Sequence, residues 1–211
     1  MKKKVFTSIA AILILSQIGC FGQEIKFEKE NLEVINRDIV SISDSKNALA
    51  LNNQRGDGMA IIKDFDFDKG VIELEIKGEN NPGRSFVGIA FNIQNDSTYE
   101  AVYFRPFNFQ SDQKERRAHA MQYIYHPKHT WRYLRTNNEG QFESEYPRQP
   151  MPDEWFGVRV IIDDKNVTVY DQETNTQLLS IERLTKQGFD RIGLWTGFNS
   201  KGEFRNLTIQ K

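Results

Sequence analysis

Gly70-Val71-Ile72-Glu73-Leu74-Glu75-Ile76-Lys77 alternates strictly, with Ile72, Leu74 and Ile76 on one side and Glu73, Glu75 and Lys77 on the other. Successive side chains of an extended chain point to opposite faces, so this stretch predicts a strand with one dry and one wet face. Trp155–Asp163 repeats the pattern through Phe156, Val158, Val160 and Ile162, and Ser85–Ile93 repeats it through Val87, Ile89, Phe91 and Ile93. Further strand-like segments fall at Glu24–Glu28, Asp38–Ile42, Ala48–Asn52, Gly58–Lys63, Thr98–Phe104, Ala118–Tyr125, Gln141–Tyr146, Asn166–Asp171, Leu178–Ile181, Arg191–Thr196 and Glu203–Gln210. Turn formers separate them, as in Arg55-Gly56-Asp57-Gly58, Asn80-Asn81-Pro82-Gly83 and Asn199-Ser200-Lys201-Gly202. Thr130–Arg135 and Arg183–Gln187 predict single helical turns at most. The spacing predicts an all-β chain, a two-sheet antiparallel jelly-roll sandwich forming one domain over residues 23–211.

Composition narrows the function classes. The 211 residues carry 28 Lys+Arg against 29 Asp+Glu, a net charge of −1. Such a balance provides no field for steering onto nucleic acid. The single cysteine, Cys20, excludes an intramolecular disulfide and a cysteine-based metal cluster.

Residues 1–22 read as an export signal. Met1-Lys2-Lys3-Lys4 precedes the apolar run Val5–Leu15, which is too short to cross about 30 Å of hydrocarbon as a helix. Cys20 follows Ser16-Gln17-Ile18-Gly19, which looks like a bacterial lipobox, with Gln17 standing where an aliphatic residue is usual. Acylation of Cys20 would anchor the domain to a membrane by lipid alone. Cleavage after Gly22 is the other reading. Either way the expected address is outside a bacterial cytoplasm, in the periplasm or on the outer membrane as a lipoprotein.

Three stretches carry a family resemblance. Asp66–Ile76 looks like the acidic turn and long strand found early in concanavalin A-like lectin/glucanase domains, and Trp155–Tyr170 looks like their paired strands. Arg191-Ile192-Gly193-Leu194-Trp195-Thr196-Gly197 with Gly202–Ile209 is most similar to the closing hairpin of secreted 3-keto-disaccharide hydrolase-type domains. The resemblance implies a sandwich whose concave sheet face handles carbohydrate, as a glycoside hydrolase, a polysaccharide lyase or a binding module.

The residues themselves are less decisive about chemistry. A retaining glycosidase needs two carboxylates about 5–5.5 Å apart in one cleft. Glu73 and Glu75 share a face, but Lys77 follows them, so they read as an exposed polar row. Glu100, on the side of Val102 and Phe104, and His119, on the strand-like Ala118–Tyr125, are the candidate catalytic residues. Tyr103 and Arg105 share a strand face that Pro106 terminates, and Trp195 alternates with the core residue Leu194, so it points outward as a stacking platform. Phe86, Gly88, Ala90 and Asn92 predict the floor of a groove, with Gln122 beside it and Asn108, His126, Trp131 and Arg135 at its rim. The histidine spacing matches no zinc motif, and no cofactor is called for. Turn Asp and Asn residues supply oxygens of the kind calcium takes, but no EF-type loop is present.

Overall fold

The apolar row of Ile72, Leu74 and Ile76 needs a second layer to leave water, and the computed structural model, which describes residues 22–211, shows that this layer is a second sheet. In chain order the elements are β1 (Gln23–Glu24), β2 (Leu32–Ile35), β3 (Ile39–Ser43), β4 (Ala48–Leu51), β5 (Gly58–Ile62), β6 (Gly70–Lys77), β7 (Phe86–Phe91) and β8 (Tyr99–Phe104). Then come α1 (Lys114–Arg117), β9 (Met121–His126), α2 (Trp131–Asn137), β10 (Glu143–Ser144), β11 (Phe156–Ile162), β12 (Asn166–Asp171), β13 (Gln177–Glu182), β14 (Gly193–Gly197) and β15 (Gly202–Gln210). One sheet runs β13-β12-β11-β6-β15-β4-β3, with β1 also on β15, and the other runs β10-β9-β8-β7-β14-β5-β2. All pairings are antiparallel. The chain is the expected two-sheet β-sandwich.

Between the sheets lie Ile72, Leu74, Ile76, Val158, Val160 and Phe204 from one side, and Val87, Ile89, Phe91, Val102, Phe104 and Leu194 from the other. Each such side chain contributes roughly 1.5–3 kcal/mol by leaving water. On the opposite face of β6, Glu75 meets Arg205 at 2.8 Å and Glu73 lies 3.9 Å from Arg159, so this acidic row is a cross-strand ion-pair surface.

Local departures from the period-2 reading have identifiable causes. Asn92 takes a left-handed φ of 52°, which breaks the alternation after Phe91 and sends Ile93 to the outer side of the sheet. The segment Ala118–Ala120 is not strand: the turn that closes α1 occupies it, and β9 starts at Met121. Leu32–Ile35 is a strand outside the segments expected from the sequence, and Gln141–Tyr146 contributes only the two residues of β10. Thr130 caps α2 by accepting from Tyr133 N at 3.3 Å, and the helix runs to Asn137; Arg183–Gln187 is not helical. Cys20 and the export segment up to residue 21 lie outside the described residues.

Candidate functional site

Register places the candidate side chains in one row. Ile35, Met59, Trp195, Gly88, Tyr103, Gln122 and Glu143 are successive cross-strand neighbours from β2 to β10. They sit on the face of the seven-stranded sheet that points away from the sandwich core. The next row is small at its centre, with Gly193, Ala90 and Ala101 side by side. That leaves room above the sheet, and aromatic rings fill it. The Trp195 indole lies so close to Gly197 that a Cβ there would collide with it. Its ring centroid is 5.0 Å from that of Tyr103, and its Nε1 donates to Tyr99 Oη at 3.2 Å. Tyr99 in turn donates to Asp57 Oδ2 at 2.9 Å and stacks on His126 at 5.2 Å. Trp195 is therefore outward, as its parity requires, yet only 3 % exposed. It forms the floor of this face, and the expected exposed platform is not there. Burial pushes the Tyr99 and Tyr103 hydroxyls up from their ordinary range, so both stay neutral hydrogen-bonding groups.

One end of the row is polar. Arg105 leaves β8 just before Pro106, with its guanidinium 4.9 Å from the Tyr103 ring centroid and 5.8 Å from that of Phe86. Its Nη2 donates to Tyr103 Oη at 2.7 Å and Gln122 Oε1 at 3.3 Å, and its Nη1 donates to the His119 carbonyl at 2.8 Å. Asn108 donates to the same carbonyl at 3.3 Å. Beside Gln122, the buried Glu143 takes both forks of Arg135, Nε at 3.1 Å and Nη2 at 2.7 Å. His119 Nδ1 approaches Glu143 Oε2 at 2.8 Å, close enough for an ionic contact but off the line of a good hydrogen bond. Helix α2 closes this end. It buries Leu134, sends Arg135 to Glu143 and leaves Trp131 40 % exposed, with Arg132 and Arg135 at 5.4 and 5.2 Å from the indole centroid.

The structure thus gathers Tyr103, Arg105, Asn108, His119, Gln122, Trp131 and Arg135 at one end of the face. His126 stands apart, on Tyr99. His119 arrives from the turn after α1 and not from a strand, so it does not share a face with Met121 and Tyr123. Glu100 is a correction. Its parity turns it to the interior, where it accepts from Arg183 Nη2 at 2.6 Å, from Asn92 Nδ2 at 2.5 Å and from Tyr123 Oη in a short hydrogen bond. It is a fully buried, ion-paired group on the other side of the sheet from Tyr103, away from any sugar on the outer face. Asn92 likewise leaves the expected floor, because its amide bridges Glu100, the Gln187 carbonyl and Phe189 N. Glu143 and Asp57 were not legible as site residues. Only the placement of α2 and of the turn before β5 brings them in. Among the described residues, no three His, Cys, Asp or Glu side chains gather as a metal site requires.

Burial lowers the pKa of His119, His126 and His129, with Glu143 and Asp57 opposing at the first two and Lys128 adding to the effect at the third. A histidine held neutral in the fold while the unfolded chain protonates near 6.5 favours the native state above that pH. The contribution is lost as pH falls from about 6.5 through the lowered folded value. The urea midpoint should accordingly drop between pH 7.5 and 5.5, and His126→Phe, which keeps the stack on Tyr99, should flatten the drop. An unchanged slope in that variant would remove His126 from this account.

No family model matches the chain, and no curated protein matches it. Solved structures do. A carbohydrate-binding module, CBM66, from Bacillus subtilis superposes with a TM-score of 0.57 at 10 % identity, over 86 % of this chain and 96 % of that one. A putative glycosyl hydrolase from Parabacteroides distasonis gives 0.54 at 12 %, over 86 % and 88 %. The exoplasmic/lumenal domain of VIP36, bound to Ca2+ and Man3GlcNAc, gives 0.54 at 9 %, over 86 % of each chain. A Bacillus subtilis protein of unknown function with a galectin-like fold gives 0.55 at 12 %, over 86 % and 89 %. At these identities the likeness concerns architecture: the chain has the two-sheet sandwich fold of concanavalin A-like and galectin-like proteins.

Proposed function

We propose that this domain binds oligosaccharide at the α2 end of the outer face of its seven-stranded sheet. The observation that carries the reading is the double engagement of Arg135. The same guanidinium lies against the exposed Trp131 ring and forks onto buried Glu143, next to Gln122, Arg105 and Tyr103. An apolar ring beside convergent, pre-oriented polar groups is what a sugar needs, because a pyranose offers a C–H face for stacking and hydroxyls for directional hydrogen bonds. That solved neighbours are by name a carbohydrate-binding module, a Man3GlcNAc-bound exoplasmic/lumenal domain, a putative glycosyl hydrolase and a glycosidic hydrolase supports this reading. A glycan array probed with residues 23–211 tests it. Saturable binding to a restricted set of glycans is expected, and no binding across plant, bacterial and animal glycans would overturn it.

Binding is favoured over hydrolysis by the state of Glu143. Both of its oxygens are held by Arg135, so it is poorly placed to protonate a leaving oxygen. Product analysis of the array's ligands after prolonged incubation should therefore return them intact.

The reading also includes export and anchoring through Cys20, supported by the lone cysteine after the apolar run. In a bacterial host, an alkynyl palmitate analogue should label the wild type and not Cys20→Ala. An unlabelled wild type would leave cleavage after Gly22 as the processing route.

A further inference from the structure

The glycan-binding reading can be taken one step further through the charge balance of the polar end. Arg183 and Arg148 are paired with buried carboxylates, Glu100 at 2.6 Å and Asp171 at 2.8 Å. The buried Arg37 also has only neutral acceptors, the carbonyls of Asn36, Gly56 and Thr196 and the Thr196 hydroxyl, but each of its three nitrogens has one. Arg105 leaves one nitrogen over. It is 5 % exposed, and its acceptors are all neutral: a carbonyl, the Tyr103 hydroxyl and the Gln122 amide. No carboxylate of the described residues lies within ion-pair distance of it, and its Nε has no acceptor. The nearby Glu143 is already neutralised by Arg135. His119 adds no anion, and burial disfavours its cationic form. The cluster therefore carries one buried positive charge in excess, and such a charge is costly unless an anion meets it.

We propose that the saccharide recognised here is acidic, with a uronate carboxylate pairing with Arg105. The Nε–H of Arg105 is unengaged and the Nη2 contact to Gln122 is long at 3.3 Å, so a carboxylate takes the first donor and competes for the second, while stacking against Tyr103 and Phe86 fixes the guanidinium plane. Gln122 and Asn108 flank the guanidinium and are themselves tied to the Tyr123, Phe142 and His119 carbonyls, which holds its surroundings in place. The pairing is selective because a neutral sugar leaves the excess charge uncompensated.

The test is calorimetric titration of residues 23–211 with a panel of oligogalacturonates, oligoalginates and glucuronate-containing oligomers. Each acidic oligomer is compared with its carboxyl-reduced counterpart, and a sulfated galactan oligomer serves as a second anionic probe. At least one uronate oligomer should bind, and carboxyl reduction should weaken it by about tenfold or more, since charge-assisted contacts are the strong ones. Arg105→Gln should bind the acid and its reduced form alike, and Arg105→Lys should recover only part of the preference. If Arg105→Gln does not fold, the wild-type comparison between acid and reduced ligand decides alone. Equal affinity for both forms, or preference for the sulfated probe, overturns the carboxylate assignment while leaving glycan binding intact. Failure to bind any saccharide in the panel or on the array overturns both.

Discussion

Replacing Trp195 with alanine is expected to destabilise the domain by about 3–5 kcal/mol, the range for removing a large buried aromatic. The indole packs against Gly197, contacts Tyr103 and holds Tyr99 through Nε1. Alanine would leave the volume of the indole empty and leave Tyr99 to Asp57 alone. For a domain of this length the melting temperature should fall by roughly 10 °C. Trp195→Phe, which restores the ring but not the donor, should cost about 1–2 kcal/mol, one hydrogen bond with some packing loss. A Trp195→Ala protein that melts within a degree or two of wild type would mean that the indole stands in water as an open platform.

The second large effect lies on the inner side of the same sheet. Arg183→Met keeps the aliphatic stem but strips Glu100 of its cation, leaving a fully buried carboxylate with only Asn92 and Tyr123. Breaking a buried pair from one side costs about 3–5 kcal/mol, chiefly through the charge left behind. Adding Glu100→Gln to that variant should restore a substantial part of the loss, because no buried charge is then left unpaired. Urea denaturation of the two single variants and the double variant measures this coupling. Strictly additive losses would show that Glu100 and Arg183 do not act as a pair, and the assignment of Glu100 to a structural role would fail.

The sheets were legible because their strands are half-buried, and a half-buried strand writes its two faces into alternate residues. β6 and β11 read correctly for that reason, as did the outward parity of Tyr103, Arg105 and Trp195. The reading slipped where backbone geometry breaks the period. Asn92, at φ 52°, reverses Ile93, and α1 removes His119 from the strand. Burial was the other blind spot. Parity says which way Trp195 points, but whether it is wet depends on Tyr99, Tyr103 and Gly197, against which the indole lies. Glu143 was invisible for a similar reason. In Gln141-Phe142-Glu143-Ser144 it is one acid among many, and its meaning comes from Arg135 and His119, which the chain brings beside it from a helix and a turn.

The proposed sugar site occupies one end of one face of the sandwich. Two exposed or half-exposed tryptophans stand on opposite sides of the sandwich, each against an arginine. Trp131 meets Arg135 beside the seven-stranded sheet, and Trp155 meets Arg205 at 4.3 Å on the outer surface of the other sheet. Titration of the best array ligand into Trp131→Ala and Trp155→Ala therefore tests the claim directly. Trp131→Ala should weaken binding several-fold to tenfold, as the loss of about 1 kcal/mol of ring stacking requires, with an unchanged melting temperature. Trp155→Ala should bind as wild type does. The reverse pattern, with affinity lost in Trp155→Ala and kept in Trp131→Ala, would place the ligand on the eight-stranded sheet and contradict the account.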